Sequence, residues 1–157
     1  MFAIDFAPGA AEEMIFGERA RYGFVKLDTY EERFVAPLVY WTVAAYRRQW
    51  REGIRRCLDG QARSCLITSM RDPQTANFIQ WWPLYRVVDD VYLQNQMLFL
   101  GQIHGAFVPS EPYAHVPERR TVNADSERIS EWHIRVEDLQ EFFNQTVRHW
   151  PRGDDIP

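Results

Sequence analysis

The sequence predicts an α+β fold, an antiparallel sheet assembly of about six strands with two packed helices. Two observations carry this prediction. Apolar residues recur at helical spacing in two stretches, about 42–59 and 137–149, and short apolar runs bounded by turn residues fill much of the remaining chain. A length of 157 residues is typical of one domain, so residues 1–157 are predicted to fold as a single domain.

The first helix is the most clearly marked element. Thr42 can cap its start, and Gly60 is well placed to end it. Residues three or four apart form one apolar stripe, which consists of Val43, Tyr46, Trp50, Ile54 and Cys57. Four arginines lie away from this stripe, namely Arg47, Arg48, Arg51 and Arg55. They are typical of a solvated outer face, and the alternative is a row of phosphate contacts.

Six short segments predict strands, and they are 22–28, 32–38, 63–70, 77–88, 91–100 and 128–136. Asp89 and Asp90 separate two of them, which predicts a tight hairpin with Val88 opposite Val91. Asp-Asp is a poorer turn pair than Asn-Gly, so a longer loop is the alternative. Pro83 cannot donate a ladder hydrogen bond, so its strand is expected to be an edge or to be bulged there.

Two regions give weak patterns. Residues 1–20 and 151–157 are expected to be loosely ordered, and residues 101–124 are expected to form a long loop. The closing helix over 137–149 can dock through apolar side chains, which are Leu139, Phe142, Phe143 and Val147.

Trp50 and Trp132 are both expected to be largely buried, and replacing either by Ala should cost about 3–5 kcal/mol.

Composition excludes several classes of protein. Hydrophobic residues make up 46% of the chain, too many for a disordered protein, and no apolar run reaches membrane-spanning length. The N-terminal segment lacks the basic region of a secretory signal. Cys57 and Cys65 are the only cysteines, which indicates reduced thiols rather than a disulfide framework. A cytoplasmic protein without a membrane partner is the expectation.

Charge is unevenly distributed along the chain. Residues 1–86 hold 12 basic and 10 acidic side chains, whereas residues 87–157 hold 6 basic and 12 acidic ones. The second part therefore carries a net charge of −6, while the whole chain carries −4. An acidic half of this kind suggests a basic partner, although acidic surfaces are also common on soluble proteins.

The stretch ISEWHI (129–134) is the strongest candidate for catalysis, because Ser130, Glu131 and His133 fall close together. In a strand, however, side chains alternate, so Ser130 points away from His133. Glu131 could orient the imidazole, but the nucleophile of a catalytic triad is then missing. We therefore interpret the stretch as a strand with a polar face. The other histidines are not at metal-ligand spacing either, so no enzyme, metal or cofactor is expected.

Nucleic-acid binding is an alternative function. The arginine row of the first helix could contact phosphates, and exposed sheet aromatics could stack on bases, the candidates being Trp81, Trp82, Tyr85 and Tyr92. Packing of these aromatics in the core is the favoured interpretation, because a domain must bury its tryptophans somewhere. Nucleic acid is therefore an unlikely partner on the sequence.

Several segments, taken in order, resemble the CdiI family, the immunity proteins of bacterial contact-dependent growth inhibition systems. They are YEERFVAPLVYW (30–41), AAYRRQW (44–50), TANFIQWWPLY (75–85), VYLQNQMLFL (91–100) and ISEWH (129–133). The resemblance spans about residues 23–148. It implies an antiparallel sheet assembly with packed helices, and a cytosolic protein that binds and blocks a delivered toxin domain. Relatives protect against a nuclease that cuts ribosomal RNA, so the expected partner is a cognate toxin domain, a basic nuclease.

The acidic half offers candidate residues for such an interface. Turns and strand ends are exposed, and the acidic residues predicted there are Asp89, Asp90, Asp125, Glu127 and Glu131. An acidic surface can compete with RNA phosphates for the lysines and arginines of a nuclease. These five residues are the predicted toxin-binding residues, and an interface built on aromatic residues is the alternative.

Overall fold

The structure, a computed structural model, describes residues 1–9 and 11–152. Its strands and helices are β1 Phe2–Phe6, β2 Glu13–Ile15, β3 Glu18–Leu27, β4 Tyr30–Pro37, α1 Val43–Leu58, β5 Arg63–Ser69, β6 Phe78–Val87, β7 Asp90–Gln94, β8 Gln96–Phe99, β9 Glu131–Arg135 and α2 Val136–Gln145. Every strand pair is antiparallel. The α+β class and the two helices are therefore confirmed.

One sheet has four strands and is built around β3. β4 pairs with one edge of β3, and β1 and β2 share the other edge. The expected looseness of residues 1–20 is wrong for β1, because Phe2, Ile4 and Phe6 are at most 3% exposed. Pairing with the distant strand β3 holds these five residues in place, and a local pattern cannot reveal that. Of the expected loose tail, residues 153–157 lie outside the described residues.

The other sheet has five strands and is built around β6. β5 lies along one side of β6, β7 and β8 lie along the other, and β9 pairs with β7. The hairpin register differs from the prediction, because Val87 pairs with Asp90 and the turn consists of Val88 and Asp89. Val88 adopts a φ of 57°, which a β-branched residue seldom does. Asp90 is therefore the first residue of β7 instead of a turn residue.

Pro83 lies in the central strand β6, so of the two predicted arrangements, an edge strand or a bulge, the edge strand is wrong. On its β5 side, Pro83 is opposite Cys65. On the other side the ladder stops at Trp81 and resumes at Leu84, where β7 passes into β8. The interruption between these two short strands accommodates a residue that has no N–H to donate.

The structure confirms α1, the first predicted helix. The Thr42 hydroxyl accepts a hydrogen bond from the amide of Ala45 at 3.1 Å, which caps the first turn. The stripe residues Tyr46, Trp50, Ile54 and Cys57 are completely buried, and they contribute to a core that contains residues from both sheets.

The two predicted core tryptophans differ in burial. Trp50 is fully buried, and its indole donates a hydrogen bond to the Ile67 carbonyl at 2.7 Å. Trp132 was expected to be largely buried as well, but it is only half-buried. Its ring is stacked on Tyr30 at 4.7 Å and lies 5.2 Å from the ring of Trp82. It therefore packs between the two sheets near their surface.

The closing helix is shorter than predicted. α2 ends at Gln145, and a 3-10 turn over Val147–His149 follows it. The predicted docking residues Leu139, Phe142 and Val147 are buried. No helix in the described part of the chain is both long enough and apolar enough to cross a membrane.

Candidate functional site

The predicted acidic residues at the β6–β7 hairpin differ in their surroundings. Asp89 is exposed in the turn. Asp90 lies 2.7 Å from the Nε2 atom of His133 and accepts a hydrogen bond from Arg135 at 2.7 Å. The pKa of the Asp90 carboxyl is held below its ordinary value by these two hydrogen bonds. The one with His133 has the larger effect, and the one from Arg135 comes next. Asp90 is thus engaged within the protein, whereas Asp89 points its charge into solvent.

Glu131 is similarly engaged. Its carboxylate accepts two hydrogen bonds from Arg119, at 2.8 and 2.5 Å, and one from Gln94 at 2.7 Å. The hydrogen bond from Arg119 is the main reason why the pKa of Glu131 is lowered. The hypothesis that Glu131 orients His133 is therefore wrong, because the imidazole is paired with Asp90 instead.

Asp125 and Glu127 lie in a tight turn before β9. The turn is closed by a bridge between Val122 and Arg128, and the Asn123 side chain accepts hydrogen bonds from the amides of both acidic residues. Both side chains are exposed. The turn therefore holds two carboxylates at the surface on an ordered backbone.

The β7–β9 register divides the five candidates into two groups. Asp90 is opposite Arg135, whereas Gln94 is opposite Glu131, at the other end of the pair. Four strand residues correspond to about 13 Å. Asp89 and Asp90 thus form one group, and Glu131, with the turn that precedes β9, belongs to the other end.

Ion pairing changes the charge that a partner meets. Asp90 and Glu131 each face an arginine, so their charges are largely compensated locally. Asp89, Asp125 and Glu127 form no ion pair with another described residue. These three are the strongest anionic positions among the five. The sequence pattern did not predict the two neutralising arginines, although alternation along β9 places Arg135 on the same face as His133.

Ser130, Cys57 and Cys65 carry groups that can act as nucleophiles in a catalytic site. β9 begins at Glu131, so Ser130 lies just before the strand that was predicted to contain it. Cys57 and Cys65 are free and buried, and burial raises the pKa of the Cys57 thiol to about 12. A thiol with so high a pKa is a poor nucleophile at neutral pH. Among the described residues, no group of three or more His, Cys, Asp or Glu side chains could hold a metal ion.

Most of the sheet aromatics belong to the core. Trp81, Trp82 and Tyr85 are at most 3% exposed, so they cannot stack on nucleic-acid bases. Tyr92 is half-buried beneath Arg119, whose guanidinium lies 3.7 Å from the ring centre. The core interpretation is confirmed for the three buried residues, and base stacking on an exposed sheet is excluded for them.

Comparisons with known proteins agree with this architecture. The family model described as the CdiI N-terminal domain matches residues 36–142. The Immunity protein CdiI of Enterobacter cloacae subsp. cloacae is 33% identical over 144 residues, which are 92% of this chain and 97% of that protein. A chain of the solved CdiA-CT/CdiI toxin and immunity complex from Enterobacter cloacae has a TM-score of 0.84 at 30% identity, over 94% of this chain and 99% of that one. The chain therefore belongs to the CdiI family of immunity proteins of contact-dependent growth inhibition.

Proposed function

We propose that this chain protects the bacterial cytoplasm by binding the toxin domain of its cognate contact-dependent growth inhibition effector. Inhibition is by a stoichiometric complex, and the chain needs no catalytic activity for it. The observation that carries this proposal is the match of almost the whole chain to a chain solved in a toxin and immunity complex. The agreement covers 94% of this chain, so it includes both sheets and both helices.

The proposed partner is a basic nuclease. A toxin that cuts nucleic acid must bind phosphates, and lysines and arginines are the residues that do so. The chain carries a net charge of −4, and its acidic residues are concentrated in the second half. Opposite charges increase the rate of encounter between two proteins and fix their relative orientation. These physical effects favour a partner with a basic active site.

Within the acidic half, the turn 122–128 is the favoured contact. Asp125 and Glu127 are exposed, and an ordered turn holds their backbone. Little backbone entropy of the turn is then lost on binding. Asp89 offers a further exposed charge at the β6–β7 turn. Asp90 and Glu131 already pair with arginines of this chain, and these ion pairs would have to break before either residue could pair with an arginine of the toxin. Their contribution to binding is therefore expected to be smaller.

Reversing the charge of Asp125 and Glu127 to Lys should slow association with the toxin by about tenfold at low ionic strength. The association rate of this double variant should also depend less on salt, because the steering attraction is lost. Stopped-flow or surface-binding kinetics with the cognate toxin domain, over a range of salt concentrations, measure both quantities.

A double variant with the same change of charge provides the control. Glu13 on β2 and Glu141 on α2 are also exposed, and neither belongs to the proposed surface. Their reversal to Lys should leave most of the association rate intact. If both double variants bind at the same rate and with the same salt dependence, steering comes from net charge alone and the turn is not the contact.

A further inference from the structure

Five arginines converge in a recess between α1 and the end of the chain's described part. They are Arg48, Arg51, Arg55, Arg148 and Arg152, and the recess has a volume of about 790 Å³. None of them forms an ion pair with a carboxylate of the described residues. Such a cluster is unexpected on an acidic protein, because like charges repel each other when they are crowded together.

Arg51 lies at the centre of this repulsion. Its guanidinium is held by the carbonyls of Val147 and Trp150, at 3.0 and 2.6 Å, so it cannot swing away from its neighbours. Its Nε atom is buried and has no hydrogen-bond partner among the described residues. Burial, followed by the charges of Arg152 and Arg55, lowers the pKa of Arg51. A bound anion would relieve this repulsion, and its oxygen atoms would accept hydrogen bonds from arginine N–H groups that have no other partner in the described part of the chain.

A second recess adjoins the first and has aromatic walls. It has a volume of about 590 Å³ and shares Arg48, Arg51 and Arg55 with the first recess. Its other lining side chains include Tyr40, which is 44% exposed, and Trp41, whose ring packs on Tyr46 at 5.1 Å. Both volumes are typical of small-molecule sites. The carboxylate of Glu52 also lines this recess, so its charge is less positive than that of the first.

We propose that the two recesses together bind a nucleotide, with its phosphates among the five arginines and its base against the aromatic wall. The planar guanidinium group forms paired hydrogen bonds with phosphate oxygens. Aromatic side chains stack on bases irrespective of base identity. The ligand could be a free nucleotide or a nucleotide of single-stranded RNA, since both present the same chemistry. This site is separate from the acidic turn, and it does not depend on the proposed toxin complex.

The test is calorimetric titration of the full chain with ATP, inorganic pyrophosphate and adenosine at low ionic strength. ATP and pyrophosphate should bind, ATP should bind more tightly, and adenosine should bind weakly or not at all. Replacing Arg48 and Arg148 by Gln should weaken ATP binding about tenfold or more, as expected for lost charge-assisted hydrogen bonds. Both side chains are exposed, so the fold should tolerate the change.

The matched control replaces Arg33 and Arg128 by Gln, two exposed arginines that line neither recess. This variant should bind ATP as the unmodified chain does, and equal loss in both variants would overturn the proposal. A Tyr40→Ala variant should lose the preference for ATP over pyrophosphate while it keeps pyrophosphate affinity. If that preference persists, the aromatic wall does not hold the base and the proposed two-recess site is wrong.

A single-stranded RNA oligonucleotide distinguishes the source of the nucleotide. RNA that displaces ATP and is weakened by the Arg48/Arg148 change identifies an RNA ligand in the same site, whereas absence of RNA binding identifies a free nucleotide. The proposal is wrong if neither ATP nor pyrophosphate binds the unmodified chain. If the Arg48/Arg148 variant then loses toxin capture instead, the arginines are part of a protein interface.

Discussion

Replacing Trp50 by Ala should lower the free energy of unfolding by about 3–5 kcal/mol, a large part of the stability of an ordinary domain. The side chain is fully buried and connects α1 to both sheets. Its ring lies 5.2 Å from that of Phe6 and 5.9 Å from that of Phe34, and its indole donates to Ile67 of β5. The substitution would leave a cavity and an unpaired carbonyl where these elements meet.

Trp132→Ala is the comparison for this experiment. Trp132 is only half-buried, so its replacement should cost less, about 1–3 kcal/mol from lost contact area and ring pairing. Urea unfolding followed by circular dichroism measures both variants without relying on tryptophan fluorescence. If Trp132→Ala is as destabilising as Trp50→Ala, the two sheets depend on the outer aromatic contact more than its exposure implies.

Replacing Gly53 by Ala should destabilise the chain by about 3 kcal/mol or more, at the upper end of the range for overpacking. A Cβ atom at this position would lie 2.2 Å from the carbonyl oxygen of Cys65 and 3.0 Å from Leu66. The closer contact is with the backbone of β5, so no change of rotamer can relieve it. The improved helix propensity of Ala, about 1 kcal/mol, offsets only part of the cost.

Neighbouring hydrogen bonds fix this close approach. The Gln49 side chain donates to the Cys65 carbonyl at 2.9 Å and accepts from the Ile67 amide at 2.7 Å, and Ser64 donates to the Gly53 carbonyl at 2.6 Å. Gly101→Ala is the control, because a Cβ atom there meets nothing within 4 Å. Thermal unfolding of both variants decides the matter. Equal melting temperatures would mean that α1 can move away from β5 at little cost.

Local patterns predicted the elements whose stabilising contacts are close in sequence. The apolar stripe through Trp50 predicted α1, and the apolar segments 22–28 and 32–38 predicted strands where β3 and β4 pair in the structure. β1 was missed because it is held by pairing with β3, as in Phe2 opposite Leu27, rather than by any pattern of its own. The predicted β6–β7 register was wrong because the turn contains no favourable turn sequence. The structure forms the turn with Val88 in the left-handed conformation, which the sequence does not indicate.

The sequence predicts which acidic residues make up the candidate site, but it does not predict which of them form ion pairs with arginines. Charge counting located the acidic residues, and exposure of Asp89, Asp125 and Glu127 agrees with the reasoning from turns. The pairing of Glu131 with Arg119 depends on how the loop before β9 folds back, so residues twelve apart in sequence meet without any periodic signal. The arginine recess likewise requires α1 and the segment after α2 to lie side by side.

We propose that this chain neutralises a toxin domain by binding it in a one-to-one complex. The direct measurement is the activity of the cognate toxin domain at increasing molar ratios of the chain to the toxin. We expect activity to fall linearly and to vanish at one chain per toxin, because each chain blocks one toxin molecule. Activity that disappears far below this ratio would contradict stoichiometric binding and indicate turnover. Activity that persists in excess chain would contradict neutralisation itself.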